Sequence, residues 1–75
     1  MPLTKEEQEY LKKLGSRIVA IRNEKDITQK RLSDLLDMDD GSLRRIESGR
    51  TNPTTTTLLS ISKALNVDIS ELFRF

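Results

Sequence analysis

Apolar residues recur along this chain every three or four positions and nowhere alternate strictly, so the pattern predicts helices without strands. Leu11, Leu14, Ile18 and Ile21 form the first apolar stripe, with Lys12, Lys13, Arg17 and Glu24 on the polar side. Thr4 and Glu7 stand at capping-box spacing just ahead of it. A helix is therefore predicted from near Lys5 to near Lys25, loosened or kinked at Gly15. Thr28 is placed to cap a second helix that buries Leu32, Leu35 and Leu36. Asp37-Met38-Asp39 reads as a turn, with Asp39 as the cap of a third helix whose inner face is Leu43 and Ile46 and whose stop is Gly49. After the loop Thr51-Asn52-Pro53-Thr54, Thr54 caps a fourth helix that buries Leu58, Ile61, Ser62 and Leu65. A turn at Val67 follows. Asp68 and Glu71 then repeat the capping-box spacing at the start of a short terminal helix with Ile69, Leu72 and Phe73.

The reading is an all-α, five-helix domain filling residues 1–75. Its second and third helices, about three residues apart, pair as a helix-turn-helix. Seventy-five residues suffice for one small core. No cysteine or histidine is present, which removes thiol chemistry, imidazole acid–base catalysis and most zinc sites. An enzyme is not expected, nor is any cofactor or metal. The N-terminal residues lack the apolar run of a signal peptide and no stretch approaches a membrane span, so the cytoplasm is the expected location. Thirteen basic residues against twelve acidic leave a net charge of only +1. The aromatics are Tyr10, Phe73 and Phe75, too few to make a stacking platform for single-stranded nucleic acid.

From Leu14 to Phe73 the chain resembles the Cro-like helix-turn-helix regulators, the XRE family. The resemblance is carried by Leu14-Gly15, Arg17-Ile18, Ile21-Arg22, Ile27-Thr28-Gln29, Leu32 and Leu36. It continues through Ile46-Glu47, Gly49-Arg50, Asn52-Pro53, Leu58, Lys63-Ala64-Leu65-Asn66-Val67 and Glu71-Leu72-Phe73. Residues 1–13 then form an N-terminal helical extension. The resemblance implies a compact lambda-repressor-like fold and sequence-specific binding to double-stranded DNA. It places Asp40, Gly41, Ser42, Arg44 and Arg45 at base-reading and adjacent positions. Arg44 and Arg45 have the fork geometry for guanine O6 and N7, and Asp40 can accept from cytosine N4. Phosphate contacts are expected from Gln29 at the start of the second helix, and from Arg17, Thr28, Lys30, Arg50 and Asn52. Arg22 and Glu47 are expected to form an ion pair between the first and third helices.

Some residues depart from the family pattern. Asp26 and Asp37 stand where glycines are common, and Ser33 replaces a buried alanine, so its hydroxyl needs a backbone acceptor. Asp34, Asp37, Asp39 and Asp40 put acid beside the recognition surface, which favours an alternative: an antitoxin-like or other protein-interaction module with secondary DNA binding. One recognition helix reads few base pairs, so a homodimer is expected, joined through Leu59, Ile69, Phe73 and Phe75. No room remains for an effector pocket, so no small-molecule effector is expected. Control then falls to the protein's own concentration, as in an autoregulatory circuit.

Overall fold

A computed structural model describes residues 2–75, and these form four α-helices and a terminal 3₁₀ turn, with no strand among the described residues. Helix α1 runs Lys5–Glu24. Its capping box is complete: the Thr4 hydroxyl accepts from the Glu7 amide at 3.0 Å, and the Thr4 amide donates to Glu7 Oε1 at 2.8 Å. Leu11, Leu14, Gly15, Ile18 and Ile21 are its buried face. Gly15 neither loosens nor kinks the helix, which is unbroken. Its missing side chain instead admits the end of another helix: a Cβ there would lie 2.3 Å from the carbonyl oxygen of Glu47 and 2.6 Å from that of Ile46.

Helix α2 (Gln29–Leu35) is capped by Thr28, which accepts from the Arg31 amide at 3.0 Å. Leu32 and Ser33 are buried and Leu36 half-buried, whereas Leu35 is 45% exposed, contrary to the expectation that it faces inward. At about 100° per residue, Leu32, Leu36 and Ser33 span one arc and Leu35 falls outside it. Helix α3 (Asp40–Glu47) is capped by Asp39 and buries Leu43, Ile46 and Glu47. Gly49 ends it at φ +80°, with the Lys12 backbone of α1 so near that a Cβ would meet it at 2.7 Å. Asp26, Asp37 and Asn66 also take left-handed backbone, each at a turn where short polar side chains tolerate it.

Helix α4 (Thr55–Leu65), capped by Thr54, buries Leu58, Ile61, Ser62 and Leu65. The short terminal helix expected here is present as a 3₁₀ helix over Ile69–Phe73. Asp68 caps it, accepting from the Ser70 amide at 2.9 Å, but no capping box closes, because the Glu71 carboxylate is paired with Arg17 and Arg74. Leu72 from this turn completes the core. Helix α1 packs on α3 and the 3₁₀ turn, and α2 packs on α3 and α4. The helix-turn-helix pair α2–α3 is thus backed by apolar side chains from every other element. Both buried serines are satisfied locally, Ser33 by the Lys30 carbonyl at 2.8 Å and Ser62 by that of Leu59 at 2.7 Å.

Candidate nucleic-acid interface

Helix α3 is fixed to the body of the domain at its C-terminal end. Arg22 Nε donates to Glu47 Oε2 at 2.9 Å and Nη2 to Oε1 at 3.2 Å, the bidentate ion pair expected between α1 and α3. The side chains are 11% and 6% exposed, so the pair is shielded from water. Two further hydrogen bonds extend it. Arg22 Nη1 donates to the Ile27 carbonyl at 3.0 Å, and Gln29 Nε2 donates to Glu47 Oε1 at 2.9 Å. One carboxylate therefore joins α1, α2 and α3, and fixes the angle at which α3 leaves the surface. Gln29 serves here as a brace. Its amide keeps a second N–H for an external acceptor.

The outward face of α3 carries Arg44, Arg45 and Ser48, all exposed. With Gly41 and Arg50 they line a shallow groove of about 240 Å³, so three guanidinium groups border one concave strip. Gly41 and Ser42 are half-buried at the head of the same helix. The acidic residues beside this strip are largely engaged within the protein. Asp39 Oδ2 accepts from the Ser42 amide at 3.0 Å, and Asp40 Oδ1, 2.6 Å from the buried Ser33 hydroxyl, shares that hydroxyl's one proton with the Lys30 carbonyl. Asp34 takes Lys30 Nζ at 3.1 Å. These contacts draw the carboxylates toward α2 and the helix cap. Asp40, expected to accept from cytosine N4, is half-buried and makes its hydrogen bond within the protein, to α2.

Two ionisable groups report the same arrangement. Asp39 is held below the usual carboxylate range, first by the Ser42 hydroxyl, then by the Ser42 amide, with the Arg45 charge contributing least. Lys30 is raised by its hydrogen bond to Asp34, by that charge, and by the charge of Asp40.

The remaining expected phosphate ligands fall into two groups. Arg50 and Asn52 are exposed on the loop that follows α3, and Thr28 and Lys30 are exposed at the start of α2. Arg17 is different: its Nε donates to the Glu71 carbonyl at 2.8 Å and its Nη2 lies 3.4 Å from Glu71 Oε1. It ties α1 to the C-terminus, which removes it from the set of free cations. Among the residues expected at a dimer contact, Leu59, Phe73 and Phe75 are exposed and Ile69 is half-buried. Phe75 lies edge-on to Tyr10 of α1, ring centres 5.1 Å apart, a contact with no local signal in the sequence. No helix among the described residues is long and apolar enough to cross a membrane, and no cluster of potential metal ligands occurs among them.

A short helix, braced at its inner end and bearing adjacent arginines outward, beside a partner helix across a tight turn, defines a helix-turn-helix DNA-binding domain. Sequence comparison agrees: the profile of the helix-turn-helix family HTH_3 matches residues 18–72, and the chain belongs to this family of DNA-binding transcriptional regulators. It is 36% identical over 59 residues to the immunity repressor protein of Bacillus phage phi105, a match covering 79% of this chain and 41% of the repressor's length. The fold is similar to that of the restriction-modification controller protein C.AhdI from Aeromonas hydrophila, with 30% identity and a TM-score of 0.81. That similarity covers 84% of this chain and 96% of the controller. A point variant of the restriction-modification controller protein C.Esp1396I is similar at 33% identity and a TM-score of 0.77, over 85% and 81% of the two chains.

Proposed function

We propose that this chain is an autoregulatory transcriptional regulator that binds a specific duplex operator as a homodimer in the cytoplasm, with α3 in the major groove. The observation that carries the reading is the pairing of exposed Arg44 and Arg45 on the last turn of α3, the turn whose inner side is locked by the Arg22–Glu47–Gln29 network. A rigid helix presents its side chains at fixed positions, which is what discrimination among base edges requires. Arg44 and Arg45 read bases, with Gly41 and Ser42 at the contact surface. Arg50, Asn52, Thr28, Lys30 and the free N–H of Gln29 hold phosphates on either side. Two copies joined through Leu59, Ile69, Phe73 and Phe75 present their α3 helices to half-sites about 34 Å apart. The immunity repressor and the restriction-modification controllers among the similar proteins support the regulatory reading. Partners within the protein for Asp34, Asp39 and Asp40 reduce the free acid on which the protein-interaction alternative rests, and Asp37 stays exposed beside them.

The test begins with selection of duplexes from a random-sequence pool by the full chain. Affinity for the selected duplex is then measured by fluorescence anisotropy against scrambled competitor. Of the five phosphate ligands per protomer, Lys30 and Arg50 are cationic, so a dimer neutralises about four phosphates and affinity should fall by about 10² between about 50 and 200 mM salt. A pool that yields no enriched sequence, or binding indifferent to salt, contradicts the proposal.

A further inference from the structure

The two arginines on α3 are not equivalent. Arg44 makes no side-chain hydrogen bond or ion pair among the described residues, whereas Arg45 Nη2 donates to Ser42 Oγ at 3.2 Å. That hydroxyl in turn donates to Asp39 Oδ1 at 2.5 Å, and the other oxygen of the same carboxylate accepts the Ser42 amide at 3.0 Å. The Arg45 guanidinium lies back along the head of α3, where a Cβ built on Gly41 would stand 3.5 Å from Nη1. We infer that Ser42 is a positioning residue: anchored on Asp39, it holds Arg45 in its base-reading orientation before DNA arrives, and so sets the specificity at one base pair of each half-site.

The chemistry fits each partner. A hydroxyl has one proton and two lone pairs, so Ser42 gives its proton to Asp39 and still accepts from Arg45. Its oxygen is polarised by the Asp39 carboxylate, which the Ser42 hydroxyl, as the main cause, holds below its ordinary pKa. The hydrogen bond occupies one of the two Nη2 protons. The other Nη2 proton and the Nη1 protons stay available for guanine O6 and N7, so the brace leaves the bidentate fork open. An unbraced arginine loses rotamer freedom on binding; a braced one has lost much of it already. The inference also gives the cap of α3 a second task. Asp39 caps the start of the helix and, through one hydroxyl, aims Arg45, further along the same helix.

This inference rests on the proposed DNA-binding function, and its test separates the two. Ser42→Ala, Ser42→Thr, Arg45→Ala and the Ser42→Ala/Arg45→Ala double variant are titrated onto the duplex selected by the unmodified chain. Each is also titrated onto duplexes with single guanines replaced. Ser42→Ala should weaken the selected duplex about three- to tenfold. Its thermal midpoint and salt slope should stay unchanged, since the Asp39 cap and the phosphate ligands are intact. The loss should vanish on the guanine-replaced duplex that no longer distinguishes Arg45→Ala from the unmodified chain. Ser42→Thr, which keeps the hydroxyl, should restore affinity. The double variant should bind like Arg45→Ala alone, because the brace has nothing left to aim. Losses that multiply in the double variant, or a Ser42→Ala that binds like the unmodified chain, overturn the positioning role and leave the DNA-binding reading standing. An Arg45→Ala that keeps full affinity overturns the base-reading assignment and this inference with it.

Discussion

Gly15→Ala is expected to cost at least about 3 kcal/mol of folding stability, although the same exchange on an exposed helix gains about 1 kcal/mol. The reversal follows from what the glycine faces. The added methyl would lie 2.3 Å from the Glu47 carbonyl oxygen, 2.6 Å from that of Ile46 and 2.7 Å from the Glu47 carbonyl carbon. All three are backbone atoms at the end of α3, so no side chain can swing aside. Helices α1 and α3 must part, and the ion pair between Arg22 and Glu47 must lengthen with them. For a domain of this size each 1 kcal/mol shifts the thermal midpoint by about 4–8 °C, so the midpoint should fall by about 12–24 °C. Gly41→Ala serves as the control. Its Cβ meets only the Asp39 side chain, at 3.2 Å, and the Arg45 side chain. A Gly15→Ala protein as stable as its parent would show that α3 does not seat against α1 as described.

The second large effect is expected at Glu47. Glu47→Ala removes the acceptor of Arg22 Nε and Nη2 and of Gln29 Nε2 in a single change, leaving a guanidinium that is almost wholly shielded from water. Breaking such a pair from one side costs about 3–5 kcal/mol. At about 0.05–0.15 kcal/mol per residue, that approaches the total stability of a chain this long. The purified variant should therefore be largely unfolded at 37 °C by circular dichroism. Replacing both partners by apolar residues of similar volume, Arg22→Met with Glu47→Leu, should recover most of the loss, since no uncompensated charge is then buried. The doubly substituted protein separates fold from function, because it loses the Gln29 brace while keeping a folded core. Equal stability of Glu47→Ala and its parent would contradict the role given to this network.

Local signals carried most of the fold. The caps Thr4, Thr28, Asp39 and Thr54 and the stop at Gly49 each act within one turn of the chain, and all appear where the spacing put them. Only the capping box of the terminal helix fails to close, because the Glu71 side chain is drawn to Arg17 across 54 residues. Leu35 was misplaced because a seven-residue helix offers too few apolar positions to fix which arc faces inward. Gly15 carried an unused signal, since it lies four residues after Leu11 and three before Ile18, inside the buried stripe. A glycine on a packed face marks close backbone approach more often than a kink.

At the candidate site, the Arg22–Glu47 pair and the outward placement of Arg44 and Arg45 were legible because their residue types stand at positions the family resemblance names. The fate of the acidic residues was not legible. Whether Asp40 faces DNA or α2 depends on Ser33, seven residues earlier, whose hydroxyl reaches it only once α2 and α3 are packed. The anchoring of Arg45 through Ser42 likewise depends on side-chain rotamers that spacing does not encode.

The central claim is that α3 enters the major groove with its arginines against base edges, and methylation interference tests it most directly. The selected duplex is partially methylated with dimethyl sulfate, which marks guanine N7 in the major groove and adenine N3 in the minor groove. Bound and free fractions are then compared. The predicted result is interference at guanine N7 in two clusters about one helical turn apart, with one guanine of each cluster becoming indifferent in Arg45→Ala. Interference confined to adenine N3, or a pattern identical in Arg45→Ala, would contradict the claim.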